Sequence, residues 1–244
     1  MVSQPRRLSP TRAEGAPLLL AVETATRRLS VALFEGTTCL DAIDDDENRL
    51  HAERLLPAID GLLHRAGTSV PELAGVALSI GPGSFTGLRI GLATVKGLLF
   101  GGTQPVVAVP TLLGLAAATD AGAPVRGALL DARRGEAYAG WCAAGSTKLQ
   151  GEGVYTPDEL AAVVPERAVL AVGEDAGAFG EALASRRSVE LLAPVPACAR
   201  RVGRIGAEIL AAGGGGDSER LSPRYLRRAE AEVQRTGERF EALE

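Results

Sequence analysis

Apolar positions along the chain fall into short runs separated by polar turns, and the period of the runs changes with position. Leu18 to Val22 and Leu29 to Phe34 are continuous apolar stretches of strand length, joined by the polar turn Glu23 to Arg28. Glu35-Gly36 turns the chain into a third strand, Thr37 to Ile43, and the acidic run Asp44 to Glu47 reads as a solvated loop. His51 to Ala66 then shows helical spacing: Leu55, Ile59 and Leu62 form one stripe, with Leu56 and Leu63 beside it. Pro57 fits that helix if it falls in the first turn. Gly75 to Ile80 is a buried strand, Gly81 to Gly87 a glycine-rich turn, and Leu88 to Phe100 a helix with Ser84 or Thr86 as N-cap. Val106 to Val109 makes a short strand, and Pro110 opens a helix through Ala118.

The pattern then begins again. Ala128 to Leu130 is an apolar strand ending in Asp131, followed by the polar turn Ala132 to Glu136 and a partner strand, Ala137 to Trp141. Ala168 to Val172 meets Gly173 to Gly177, echoing the earlier strand and glycine turn, with less helix around it. The expected fold is α/β, with two similar lobes of mixed sheet and flanking helices, the second lobe reduced. The expected boundaries are 1–17, a disordered extension without apolar periodicity; 18–109, the first lobe; 110–213, the second; and 214–244, a linker and charged tail starting within Gly213 to Gly216.

Composition narrows the function classes. The chain has 244 residues, 46% hydrophobic, with 30 glycines, enough for a sizeable core. A net charge of −4 and an aromatic content of 4% argue against autonomous nucleic-acid binding by phosphate neutralisation or base stacking. Cys39, Cys142 and Cys198 are scattered without a C-x-x-C spacing, which fits a reducing compartment and no structural zinc. No apolar run has the ~18 residues of a membrane span. The N-terminal residues lack the apolar core of a secretory signal, so the expected location is cytoplasmic.

The glycine turn carries the candidate chemistry, since strand, glycine turn and helix together aim backbone N–H groups at an anion. A P-loop needs Lys and Ser or Thr after its last glycine, whereas Gly87 is followed by Leu88-Arg89. A dinucleotide fingerprint needs a glycine where Thr86 stands. Gly87 and Gly91 share one helical face, with Thr94 next along it. Each glycine costs a helix about 0.8–1 kcal/mol against Ala, which close approach of another backbone can offset. That backbone is either the chain's own or a partner's.

An acid-ended hairpin opening each of two lobes resembles the actin, sugar-kinase and Hsp70 superfamily. Within it, Val22-Glu23-Thr24-Ala25-Thr26, His51-Ala52-Glu53-Arg54-Leu55-Leu56-Pro57, Gly81 to Gly91 with Lys96-Gly97, Asp131 to Tyr138, and Pro223-Arg224-Tyr225-Leu226-Arg227 resemble the TsaB family. These are dimerisation subunits of the bacterial tRNA threonylcarbamoyladenosine-forming complex, and the likeness spans roughly residues 18–228. It implies a noncatalytic scaffold that pairs with the threonylcarbamoyltransferase subunit TsaD and helps recruit the ATPase TsaE. It also implies a homodimer in isolation and contact with tRNA through the complex. ATP and metal belong on the partners, with an interface nucleotide left open. TsaD holds its metal through H-x-x-x-H, and the matching positions here are Thr111 and Leu115, so neither a catalytic nor a metal-ligating residue is expected.

His51 and His64 read as surface or edge residues. Glu23 stands where the superfamily has a magnesium-handling Asp, and Arg133, Arg134 and Glu136 crowd the second phosphate turn, which implies no productive ATP hydrolysis. The implied partner face comprises Leu55, Ile59, Leu62, Leu63, Gly87, Gly91, Thr94 and Leu98. The alternative is that both faces are spent on the chain's own sheet, as most of the Leu–Ile stripe is expected to be, with one side of each helix left available. Glu23, Ser84, Thr86 and Arg89 are the candidates for a residual anion or nucleotide contact. Arg220, Arg224, Arg227 and Arg228 read as a solvated, helix-stabilising set, with direct tRNA contact as the alternative. The alternative is an autonomous nucleotide-binding enzyme of the ATPase or kinase kind.

Overall fold

A computed structural model describes residues 16–46, 51–119, 122–174, 176, 179–184, 188–192 and 194–227. Most of the expected N-terminal extension (1–15), Glu47 of the acidic run and Arg228 with the rest of the tail lie outside these residues.

The first half builds β1 (Leu18–Glu23), β2 (Leu29–Glu35), β3 (Thr38–Asp45), α1 (His51–Ala66), β4 (Gly75–Ser79), α2 (Phe85–Leu98) and β5 (Val106–Val109). The second builds α3 (Thr111–Ala116), β6 (Val125–Asp131), β7 (Ala137–Ala143), β8 (Gln150–Tyr155), α4 (Pro157–Val163), β9 (Ala168–Val172), α5 (Phe179–Ala184), β10 (Glu190–Leu192) and α6 (Ala199–Ala211). The sheet orders are β3-β2-β1-β4-β5 and β8-β7-β6-β9-β10. In each, an antiparallel three-strand meander is extended by two parallel strands: Val22 opposes Val31 and Leu20 aligns with Val76, as Leu129 opposes Ala139 and aligns with Val172. This is the expected two-lobed, actin-like arrangement. The second sheet repeats the first strand for strand, and the reduction lies in its helices, with α4 and α5 spanning 7 and 6 residues.

Alternation along β1 sorts the first lobe into two cores. Leu18, Leu20 and Val22 face α1 and α2, where Leu55, Ile59, Leu62, Leu63 and Val95 complete one cluster. Leu19 and Ala21 face the other way, with Ala32, Phe34 and Ala77, onto Val202 and Ile205 of α6. The sequence pattern gives no place to α6. It follows the second sheet in the chain yet covers the first, approaching closely because Gly203 lies against the Phe34 ring and Gly206 against Ala77.

Several expectations change. Pro57 lies inside α1 rather than in its first turn, on the exposed side of the helix. The acidic run is ion-paired, not simply solvated: Asp44 binds Ser30 and Arg200, Asp45 binds Arg54, and Asp46 binds Arg28. Burial pushes the Asp44 carboxyl up, but Ser30 and Arg200 outweigh it and hold it below the usual carboxylate range. Gly216 pairs with Val106 on the edge of β5, so the glycine run docks on the first sheet instead of standing free. No helix among the described residues is long and apolar enough to cross a membrane.

Candidate functional site

The two lobes face each other across a cleft with a cavity volume of about 880 Å³. One wall is the β1–β2 turn, the start of α1 and the glycine turn, represented by Thr26, His51, Ser84 and Thr86. The other is the β6–β7 turn with Asp131, Arg133 and Tyr138. His51, expected at a surface or edge, lines the cleft at the first residue of α1 and is buried, with Nε2 lacking a hydrogen-bond partner; His64, near the other end of α1, is exposed.

Three N–H donors of the glycine turn and the start of α2 are used within the chain. Ser84 is the N-cap of α2, its hydroxyl accepting from the Gly87 N–H at 3.2 Å. The Ser84 N–H donates to the Ala25 carbonyl at 2.6 Å, and the Leu88 N–H to the Ser84 carbonyl at 2.9 Å. These three donors are spent inside the chain. A Cβ on Gly83 would strike Ala25, and one on Gly87 or Gly91 would strike Thr24. The glycines therefore let the β1–β2 turn lie directly on α2, which is the chain's own close approach and not a partner's.

Six of the eight residues expected on the partner face are consequently interior. Leu55, Ile59, Leu62 and Leu63 pack against the first sheet, while Gly87 and Gly91 receive Thr24. Thr94 and Leu98 are half-buried. What α1 and α2 leave outside is a different stripe. Leu56 is 51% exposed and Phe100, just past α2, is 90% exposed, with Ala93 and Gly97 between Arg89 and Phe100 at helical spacing. Helical period locates the stripes but not which one the sheet takes.

Of the anion-contact candidates, Ser84 and Thr86 line the cleft, whereas Glu23 and Arg89 do not. Glu23 is 1% exposed at the end of β1, its Oε1 accepting the Ala25 N–H at 2.6 Å. Burial raises its carboxyl to about 7, against the opposing hydrogen bonds from Ser79 and Ala25 and the Arg201 charge. Arg89 stacks over Phe85 at 3.9 Å and donates to the Tyr225 hydroxyl at 3.2 Å. In the facing turn, Arg133 and Arg134 both have left-handed backbones, and the Arg133 N–H is taken by Asp131 at 2.9 Å. Glu136 is held by Arg227. A Glu23 that is buried away from the cleft, with its carboxyl raised to about 7, and a turn filled by its own ion pairs do not fit a magnesium-bound triphosphate.

The positions matching the TsaD metal histidines are buried, and Leu115 lines the cleft with a side chain that cannot ligate a metal. The Thr111 hydroxyl shares a buried hydrogen bond of 2.9 Å with Ser79, and Leu115 is fully buried beside Leu130. The tail reaches further than its sequence suggests. Arg224 binds Glu152 of β8, with Nε 2.9 Å from both carboxylate oxygens, and Arg227 donates to the Ala132 carbonyl at 2.7 Å. These two arginines are ion-paired and half-buried, and neither lies in a helix. The pairs lie far apart in sequence, so no local signal marks them.

Comparison with known proteins agrees with this architecture. Residues 45–193, more than half of the chain, match the family model described as TsaD: tRNA N6-adenosine threonylcarbamoyltransferase. The chain is 40% identical over 122 residues to the tRNA threonylcarbamoyladenosine biosynthesis protein TsaB of Escherichia coli K12, covering 49% of this chain and 52% of that one. It is 32% identical over 122 residues to the Bacillus subtilis TsaB, covering 50% and 53%. It thus spans about half the length of the curated relatives it matches. The structure of YeaZ from Pseudomonas aeruginosa superposes with a TM-score of 0.74 at 32% identity, covering 86% of this chain and all of that one. The chain belongs to the family of the TsaD model and, within it, to the TsaB (YeaZ) proteins.

Proposed function

We propose that this protein is a noncatalytic scaffold of tRNA threonylcarbamoyladenosine biosynthesis, pairing with the threonylcarbamoyltransferase subunit TsaD and helping to recruit the ATPase TsaE. The observation that carries this reading is the fate of the two metal-ligand positions. Thr111 and Leu115 are buried core residues, hydrogen-bonded to Ser79 and packed on Leu130. Neither side chain offers the imidazole that holds a catalytic metal. The outer side of α1 and α2 supplies a docking surface. Ala93 and Gly97 are small enough for a partner helix to approach, and Leu56 and Phe100 add exposed apolar area. In isolation the same surface pairs with a second copy, giving a homodimer.

The test is reconstitution. The purified chain is expected to co-purify with TsaD and to be needed, with TsaE, for formation of the modified nucleoside. Ala93→Arg places a charge on the exposed face of α2 and is expected to lower heterodimer yield at least tenfold with little change in thermal midpoint. ATP turnover or threonylcarbamoyl transfer by the lone chain would replace this reading with the autonomous enzyme.

A further inference from the structure

We propose that residues 221–227 are a clasp that holds the two lobes at a fixed opening. After α6 the chain is already back on the first lobe, where Gly216 pairs with Val106. Connectivity requires no further tie to the second lobe, yet the segment that follows makes one. Leu221 is buried in the α1–α2 core, and the Arg224 N–H donates to the Ile80 carbonyl at 2.7 Å. Tyr225 stacks on Phe85 with ring centroids 5.0 Å apart and receives the Arg89 guanidinium. The carbonyl of Arg224 presses on Gly81, where no side chain fits. From this anchored backbone, two guanidinium groups reach the other lobe. Arg224 pairs with Glu152 of β8, and Arg227 with Glu136 and the Ala132 carbonyl of the β6–β7 turn.

The two ends of the clasp differ in kind. On the first lobe it is held by a buried leucine, a main-chain hydrogen bond and an aromatic stack. On the second lobe the bonds named here come from two arginine side chains. Glu152 has only 5% of its side chain exposed, while its partner Arg224 has 35%. Removing either arginine leaves a largely buried carboxylate without its cation, so the second-lobe end of the clasp is sensitive to charge. The two turns the clasp ties, Gly81–Phe85 and Ala132–Glu136, belong to opposite walls of the cleft. The Thr111 N–H bond to the Gly81 carbonyl joins the lobes independently, and the arginines add the tie to the β6–β7 turn, so letting go of them loosens that wall and the clasp limits the width of the cleft.

Amide exchange read by mass spectrometry on the full chain tests this. In the double variant Arg224→Gln with Arg227→Gln, exchange is expected to rise severalfold in residues 81–87 and 132–136 together, with β1 and α6 unchanged. Exchange that rises only within 221–227, or uniformly through the molecule, would overturn the clasp. Exchanging the charges, Arg224→Glu with Glu152→Arg, is expected to bring 81–87 back toward the native rate relative to Arg224→Glu alone, and failure to do so counts against the proposal. If the double variant does not fold, Glu136→Gln carries the same readout, and unchanged exchange at 132–136 in that variant refutes it.

Discussion

Glu23 is the residue most at odds with its surroundings. It ends a strand of apolar residues, is 1% exposed, and its carboxyl is raised from 4.5 to about 7 by burial. The raised value fixes the sign of its effect on stability. Between pH 4.5 and 7 the unfolded chain releases a proton that the folded chain keeps, so stability falls as pH rises and levels off above 7. At ~1.4 kcal/mol per pH unit the loss amounts to about 3 kcal/mol. Glu23→Gln keeps an oxygen for the Ala25 N–H but has no proton to lose. Its denaturant midpoint is expected to match the native protein at pH 4.5, and its stability to exceed the native value by about 2–3 kcal/mol at pH 8. An equal gap at both values would show that Glu23 is not the titrating group. Sequence alone places Glu23 at the end of β1 and at the start of a turn. It does not reveal the depth of burial, which depends on Ser79 and Thr111 arriving from distant segments.

The glycines of α2 divide by what stands opposite them, and this separates folding from docking. Gly87 faces the Thr24 carbonyl, a backbone atom that cannot move without shifting the β1–β2 turn. A methyl group on Gly97 would meet nothing within 4 Å, and this residue lies on the exposed side. Gly97→Ala is therefore expected to stabilise the isolated protein by about 0.5–1 kcal/mol through helix propensity. Gly87→Ala is expected to destabilise it by about 1–3 kcal/mol through overpacking. Thermal denaturation of the two variants reads the contrast, and similar shifts would mean that the turn does not rest on α2. The pair also marks how far sequence reaches. The strand runs and α1 were legible because their apolar period is local, and the Ser84 cap because capping chemistry is local. Which stripe of α1 and α2 the sheet would take was not legible, since both helices carry apolar residues on more than one side. The outer stripe with Leu56 and Phe100 emerges only once the sheet has claimed Leu55, Ile59 and Gly91.

Across the molecule, the repetition of a lobe was readable from two strand–acid–turn–strand beginnings, but the order of strands in each sheet and the exchange of elements between the halves were not. The second sheet is followed by a helix that covers the first, and the tail then returns to tie both. The first half consequently lacks one face of its own fold. Ala21, Ala32, Phe34, Ala77 and Val107 are buried by α6, whose Val202 and Ile205 are among the core residues. At about 1.5–3 kcal/mol for each large aliphatic side chain fully buried, Val202 and Ile205 alone contribute about 3–6 kcal/mol. That is comparable to the whole folding free energy of an ordinary domain, about 5–15 kcal/mol. A fragment of residues 16–119 keeps every strand of the first sheet and both helices of one face, yet exposes Phe34 and its neighbours on the other. Calorimetry of this fragment is expected to show no cooperative transition, with the apolar face driving association. The chain through residue 227 is expected to unfold in one transition, because neither sheet can lose its helices without disturbing α6. A sharp transition in the fragment would mean that α6 merely decorates the first lobe. Recovery of that transition on adding a peptide of residues 196–214 would locate the missing stabilisation in the helix itself, which is where the packing of Gly203 on Phe34 and Gly206 on Ala77 puts it.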